Sequence, residues 1–346
     1  MPSLGILLLV IFATIIGLAI LAAAIQSLAA LADRKKHPPP GRMVNLGTHS
    51  LHLHSKGEGS PVVILDAGMA STSLSWAFIQ DELAKFTHVC SYDRAGLGWS
   101  EPGPKPRTTA QILAELRALL QKSGIPPPYV LVGHSFGAFT VRLFAALHPN
   151  EVAGLVFIDG LHPAEWFPAS EHQLRGLSRA VRSARRGVWL AALGVPRAVL
   201  YLARIGGVNL ARRAGLLASG GASRHVESLF LPVSKLPRHL LAVIFSFWSL
   251  PKTYQTLADQ LEVLPECARQ VASATTSFGD LPLIALVASN SRPPRTMSTE
   301  EVARLSSQGT LHVASDSGHW IQIDQPSLVI DAIRHVVSAA RNASST

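Results

Sequence analysis

Gly133-His134-Ser135-Phe136-Gly137 decides the fold of this 346-residue chain. The apolar run Tyr129-Val130-Leu131-Val132 precedes it, and a helix-like stretch, Ala138 to Leu147, follows. The order is strand, sharp turn, helix, with a serine at the tip. A serine hydroxyl is a weak nucleophile until a neighbouring base activates it. A turn this tight forces unusual backbone angles at the serine, and small flanking residues let strand and helix approach each other. The pentapeptide alone also suits a plain glycine-rich turn. The strand before it and the helix after it supply the context that a nucleophile needs.

Outward from this turn, short apolar runs alternate with helical patterns. Arg42 to Ser55 reads as a β-hairpin, with Leu51-His52-Leu53-His54 alternating as a half-exposed strand does and both histidines on a polar face. Further strands are expected at Pro61 to Asp66, Thr87 to Tyr92, Leu155 to Ile158, Leu281 to Ala288 and Thr310 to Ala314, with helices at Thr108 to Ser123 and Ser327 to Ala340. This alternation predicts an α/β protein with a doubly wound, mostly parallel sheet. Between about 162 and 270 the rhythm stops, and Leu174 to Arg186, Val188 to Ile205, Val208 to Leu217 and Leu240 to Leu250 all read as helices. They form a helical insertion. Its apolar runs suit a substrate pocket, contact with a bilayer or ordinary packing.

Leu4 to Ala32 carries no charge. As a helix it is roughly 43 Å long, against a hydrocarbon core of about 30 Å. Asp33-Arg34-Lys35-Lys36 stops the span, and Pro38-Pro39-Pro40-Gly41 makes a stiff spacer. Ala30-Leu31-Ala32 would serve as a signal-peptidase site in an exported protein, but the leading residues hold no Lys or Arg and the apolar stretch is long for a signal. A single transmembrane anchor is expected. The basic cluster after it puts the bulk of the chain on the cytoplasmic side. The chain thus divides into an anchor (1–33), a basic, proline-rich linker (34–43), a core in two parts (44–161 and 276–346) and a helical cap (162–275).

Hydrophobic content of 48% with 15% charged residues excludes disorder. The net charge is +9, and residues 162–270 hold 14 Lys/Arg against 6 Asp/Glu, so the cap carries nearly all of it. No nucleic-acid motif accompanies that charge. A solvated Arg-rich surface and contact with anionic lipid both fit it. Cys90 and Cys267 lie far apart, and no Cys/His spacing suggests a metal. No cofactor is implied, and the oligomeric state is open.

A serine nucleophile needs a base, and the base needs an orienting group. His319 in Ser317-Gly318-His319-Trp320 follows the last predicted strand. Loops at the carboxyl ends of parallel strands gather on one edge, so Ser135 and His319 can meet there. An oxyanion hole needs two backbone N–H groups. Phe136, directly after the nucleophile, and Met69, in the loop after Asp66, are the candidates.

Taken together, the chain resembles the α/β-hydrolase fold family. The matching residues are Asp66-Ala67-Gly68-Met69, Tyr92-Asp93-Arg94-Ala95-Gly96-Leu97-Gly98-Trp99-Ser100, the pentapeptide, Leu155 to Asp159, and Ser317-Gly318-His319-Trp320, in the family's order. The similarity runs from about Val44 to Ala340 and is weakest across the insertion, which resembles the family's cap. The family most often carries its acid after the strand that here is Leu281 to Ala288, where the loop Ser289-Asn290-Ser291-Arg292-Pro293-Pro294 has no carboxylate. Some members place it one strand earlier, which implies Asp159. Asn290, which would orient the histidine without charge, and Asp316, only three residues from His319, are the alternatives. The resemblance implies a membrane-anchored serine hydrolase acting on an ester, thioester or amide of an apolar small molecule or lipid through an acyl-enzyme. A carbon–carbon bond hydrolase and a non-catalytic anchored interaction protein are the competing readings. A dehalogenase or epoxide hydrolase would call for an aspartate where Ser135 stands.

Overall fold

Every residue of Tyr129–His134 is buried, as a strand covered on both faces must be. A computed structural model, which describes residues 3–204, 232–274, 277–290 and 296–343, places it near the centre of an eight-stranded sheet. The strands are β1 (Arg42–Asn45), β2 (Ser50–Lys56), β3 (Val62–Asp66), β4 (Val89–Tyr92), β5 (Tyr129–His134), β6 (Val152–Ile158), β7 (Leu283–Ala288) and β8 (Gly309–Ala314). Their spatial order is β1-β2-β4-β3-β5-β6-β7-β8. β1 and β2 are antiparallel, and so are β2 and β4; all pairs from β4 through β8 are parallel. The chain winds one way from β3 to β4 and the other way from β5 to β6. The carboxyl ends of β3 and β5 therefore flank a topological switch point, where α/β sheets place their ligands.

Among the described residues the longer helices are α1 (Leu4–Lys36), α2 (Thr109–Lys122), α3 (Gly137–Leu147), α4 (Glu171–Ala192), α5 (Val195–Arg204), α6 (Arg238–Trp248), α7 (Pro251–Glu262), α8 (Leu264–Ala274), α9 (Thr296–Ala303) and α10 (Pro326–Ala343). α2 shows how sequence makes them. Thr108 caps it by accepting from Gln111 N–H, and Ile112, Leu113, Leu116, Leu119 and Leu120 form its buried stripe. α2, α3 and α8 cover one face of the sheet, while α10, Trp76, Ile79 and Leu83 cover the other.

Several expectations are corrected by the structure. His52 is not on a polar face. β2 lies between β1 and β4, and the ring is fully buried. The first cap helix does not stop at Arg186 but runs through Gly187 to Ala192. A Cβ at Gly187 would lie 2.5 Å from the Tyr254 ring, so the glycine is there to let α7 approach, and the helix ends instead where Gly194 takes φ +76°. α7 and α8 fill a stretch left unassigned by the sequence, and α8 belongs to the core layer through Leu264, Cys267, Ala268 and Val271. α1 continues to Lys36, three residues into the expected linker. The helix expected at Val208 to Leu217, and the end of the preceding one at Ile205, lie outside the described residues.

Among the described residues, the cap is fastened to the core by several contacts, two of them at α6 and at the start of α7. α6 contributes Val243, Ile244 and Phe247 to a small cluster with Leu74, Trp320 and Ile323. Lys252, at the start of α7, donates to the carbonyls of Gly98 and Ser100 at 2.7 and 2.8 Å. Burial pushes this ammonium down to about 8.

Candidate active site

Ser135 stands between β5 and α3 with φ 52°, a left-handed conformation that costs a non-glycine residue about 1–3 kcal/mol. Its backbone is held on both sides: the N–H donates to Ile158 O (3.1 Å), and the carbonyl accepts from Ala138 N (3.1 Å) and Leu161 N (3.0 Å). The flanking glycines are required by contact. A Cβ at Gly137 would lie 2.3 Å from Asp66 O, and one at Gly133 would lie 2.7 Å from a Val141 methyl and 2.8 Å from Ala138 Cα. The turn is wedged between β3, α3 and the end of β6.

Asp159 is the first residue beyond β6, also at positive φ (41°) and fully buried. Its N–H donates to Leu286 O, and its Oδ1 accepts from Ala288 N–H at 3.2 Å. Its Oδ2 lies 2.5 Å from His319 Nδ1. A carboxylate only accepts, so Nδ1 carries the proton and Nε2 takes the acceptor role. The ring is 22% exposed, whereas the carboxylate is sealed. His319 is brought beside the serine turn by His134, whose Nε2 donates to His319 O (2.9 Å) and whose ring lies 4.7 Å from the His319 ring, centroid to centroid. Asn290 and Asp316 are both on the exposed surface. Asn290 N–H is engaged with Ser317 O, and Asp316 occupies a left-handed turn (φ 59°). Of the three candidate orienting residues, the structure brings Asp159 to the ring.

Met69 and Phe136 follow the ends of β3 and β5, on the two sides of the switch point. Among the described residues neither amide donates to a backbone carbonyl. Arg94 fixes this region, a part that sequence reasoning left without a function. It is buried; Nη1 donates to Asp66 Oδ1 and to Ala67 O, each at 2.5 Å, and Nη2 donates to Gly68 O. The guanidinium carbon also lies 5.2 Å from the centre of the Phe136 ring. One side chain thus holds the loop that carries Met69 and touches the residue that carries the second amide. Its place directly after Asp93 was the available signal. Burial pushes the Asp66 carboxyl up, against the charge of Arg94.

A second histidine–aspartate pair lies at the end of β4, which β3 and β5 separate from β6. Asp93, at the end of β4, accepts from His52 Nδ1 (3.0 Å), Ser73 N–H (2.7 Å) and Trp99 N–H (3.1 Å). Burial opposes its charge, but the His52 bond and charge and the two amides outweigh that and hold it below the ordinary carboxylate range. His52 is raised in turn: burial would lower it, and the Asp93 bond and charge and the Pro40 carbonyl prevail. Both ring nitrogens of His52 are engaged and both partners are sealed from solvent, so this pair is structural.

Among the described residues no group of three His, Cys, Asp or Glu side chains is placed to hold a metal.

A family model described as the α/β hydrolase fold matches residues 61–189. The chain is 32% identical over 125 residues to a probable transporter, EfuK, of Hormonema carpetanum, covering 34% of this chain and 18% of that one. It is 36% identical over 110 residues to an uncharacterized protein, YqjL, of Bacillus subtilis, covering 31% and 42%. The aligned part is therefore less than half the length of either relative. Among solved structures, the epoxide hydrolase CorEH superposes with a TM-score of 0.65 over 86% of this chain and 98% of that one, at 20% identity. Sheet order, elbow geometry, family model and superposition agree that the chain has the α/β-hydrolase fold.

Proposed function

We propose that this protein is a membrane-anchored serine hydrolase that cleaves an ester-type bond of an apolar small molecule or lipid. The observation that carries this reading is the 2.5 Å contact between His319 Nδ1 and the sealed Asp159 carboxylate, beside a serine held at φ 52° on a strand-to-helix turn. Ser135 Oγ attacks the carbonyl carbon and passes its proton to His319 Nε2. The Met69 and Phe136 amides bind the oxyanion. His319 then protonates the leaving group, and an acyl-enzyme remains, which a water molecule activated by the same imidazole hydrolyses. Asp159 orients the ring and stabilises the imidazolium. The apolar cluster that joins α6 to Trp320 supports an acyl or aromatic group as the substrate's apolar part.

α1 serves as the anchor: it has 33 residues and is long and apolar enough to cross a bilayer. Arg34, Lys35 and Lys36 at its end support a cytoplasmic hydrolase domain. The test is labelling of the purified full chain with a fluorophosphonate probe. Wild type becomes labelled and Ser135→Ala does not, with matching thermal unfolding. Folded wild type that stays unlabelled overturns the reading.

A further inference from the structure

The anchor is not a free tether. Over its second half, α1 withdraws a stripe from solvent on which Ala19, Ala22, Ala23, Gln26, Ala30 and Asp33 lie, at helical spacing. α4 and α6 pack on it. Gln26 is fully engaged within this apolar helix: its Nε2 donates to Ser249 O at the end of α6 (2.7 Å), and its Oε1 accepts from Arg197 Nε on α5 (2.7 Å). Arg197 Nη1 continues to Asp33 at 2.6 Å. The outward side of the same half remains apolar and open, with Ile20, Leu21, Ile25, Leu28 and Leu31 each more than half exposed.

Length then makes a demand. Residues 4–18 are exposed on every side. At 1.5 Å per residue they rise roughly 22 Å, short of the ~30 Å hydrocarbon core. A span needs about 20 residues. Every such window within Leu4–Ala32 contains Ala19, Ala22 and Ala23, which lie on the half-buried stripe of the helix that the cap helices pack against. The covering elements must therefore lie at membrane depth with them.

Resting on the anchor reading of α1, we propose that the cap edge formed by the end of α4 and by α5 is itself a bilayer-contacting surface, so that α1 and the cap enter the membrane as one body. The exposed residues of that edge suit lipid. Trp189 is 75% exposed, Tyr201 64% and Leu193 40%. Leu193 precedes Gly194, where a Cβ would lie 3.5 Å from the Gln26 side chain. Exposed Arg182 and Arg186 share the Trp189 face of α4, seven and three residues before it. Aromatic rings beside arginines are the composition of a headgroup layer over an acyl layer.

The test uses the full chain in nanodiscs of phosphatidylcholine and phosphatidylglycerol. Cys90 and Cys267 are buried, so introduced cysteines take a nitroxide label selectively. The variants are Phe12→Cys in the free half of α1, Trp189→Cys and Leu193→Cys on the cap edge, and Glu58→Cys at the opposite, amino-terminal edge of the parallel strands. Relaxation by oxygen is compared with relaxation by an aqueous nickel chelate. Labels at 12, 189 and 193 are expected to lose most of their nickel relaxation and gain oxygen relaxation, and the label at 58 to do the reverse. Ala23→Phe, which wedges the seam apart, returns the 189 label to the aqueous profile while the 12 label stays in lipid. Labels at 189 and 193 matching 58, with 12 in lipid, overturn the proposal alone. An aqueous label at 12 overturns the anchor and the proposal together.

Discussion

Two histidine–aspartate pairs stand at the carboxyl ends of strands in this sheet, joined through the same atoms. His52 Nδ1 meets Asp93 Oδ2 at 3.0 Å, and His319 Nδ1 meets Asp159 Oδ2 at 2.5 Å. Both carboxylates are sealed. What separates them lies at the far side of the ring. The second nitrogen of His52 is spent on the Pro40 carbonyl, and the ring is inaccessible. The ring of His319 is 22% exposed, beside the strained serine turn. A base–acid pair is therefore not a catalytic signature by itself; its outlet is.

The sharpest way to break the comparison is to remove each ring. His319→Ala should cost about 10⁶-fold in ester turnover and abolish probe labelling, with little change in thermal unfolding. His52→Ala should do the converse. It strands a buried carboxylate, for about 3–5 kcal/mol of stability, yet leaves labelling per folded molecule near wild type. Equal loss of activity in both, at equal stability, would end the distinction.

Asp159→Asn should lower turnover by about 10³–10⁴-fold, because the amide admits the wrong imidazole tautomer. Asn290→Ala and Asp316→Ala, measured alongside, should stay close to wild type.

Arg94→Lys sharpens the picture from a third direction. A lysine supplies a point charge but not the fork that holds Asp66, Ala67 and Gly68 together. Turnover should fall ten- to a hundredfold in kcat with KM nearly unchanged, the signature of a loosened oxyanion site. A change in KM alone would assign Arg94 to substrate binding instead.

The smallest effect is one of pH. His52 is raised above its ordinary 6.5, so its contribution to stability is complete below that value and is lost as pH rises through the raised one. Asp93 is depressed below 3.8, so its contribution is complete above that value and is lost as pH falls through the depressed one. The pair stabilises most between these limits. The urea midpoint gap between wild type and His52→Gln should be wider at pH 5.5 than at pH 8.5. A gap that widens toward alkaline pH would contradict the assigned directions.

The legible parts of the sequence were those in which local chemistry fixes geometry. Gly133 and Gly137 mark the elbow because nothing larger fits against Ala138 and Asp66, and the apolar run Tyr129-Val130-Leu131-Val132 announces a strand covered on both faces. Asp159 came from the resemblance, which in some members puts the acid after the strand that here is Leu155 to Ile158, and Asn290 and Asp316 stayed open beside it until the geometry around His319 was seen. What escaped were the places where a distant element overrides the local pattern. The alternation around His52 is that of a half-exposed strand, but Pro40, Asp93 and β1 close over it. Gly187 looks like a helix end until Tyr254 is seen resting on it. Gln26 looks like a flaw in an apolar helix until Arg197 and Ser249 reach it from the cap. Arg94 showed its place but not its work, since its three carbonyl and carboxylate partners come from β3 and the loop beyond.

The joint between α1 and the sheet has a mechanical consequence. The Trp99 indole N–H holds His37 O at 2.9 Å, and His52 holds Pro40 O, so both ends of the short passage from helix to first strand are pinned to one knot around Asp93. Such a joint has no slack. A tilt of the helix is passed to the sheet as a rotation of the whole body, as by a lever rather than a string. Residues inserted before His37 would leave the knot intact while uncoupling the two rotations; residues inserted between His37 and Pro40 would pay out line without releasing either end.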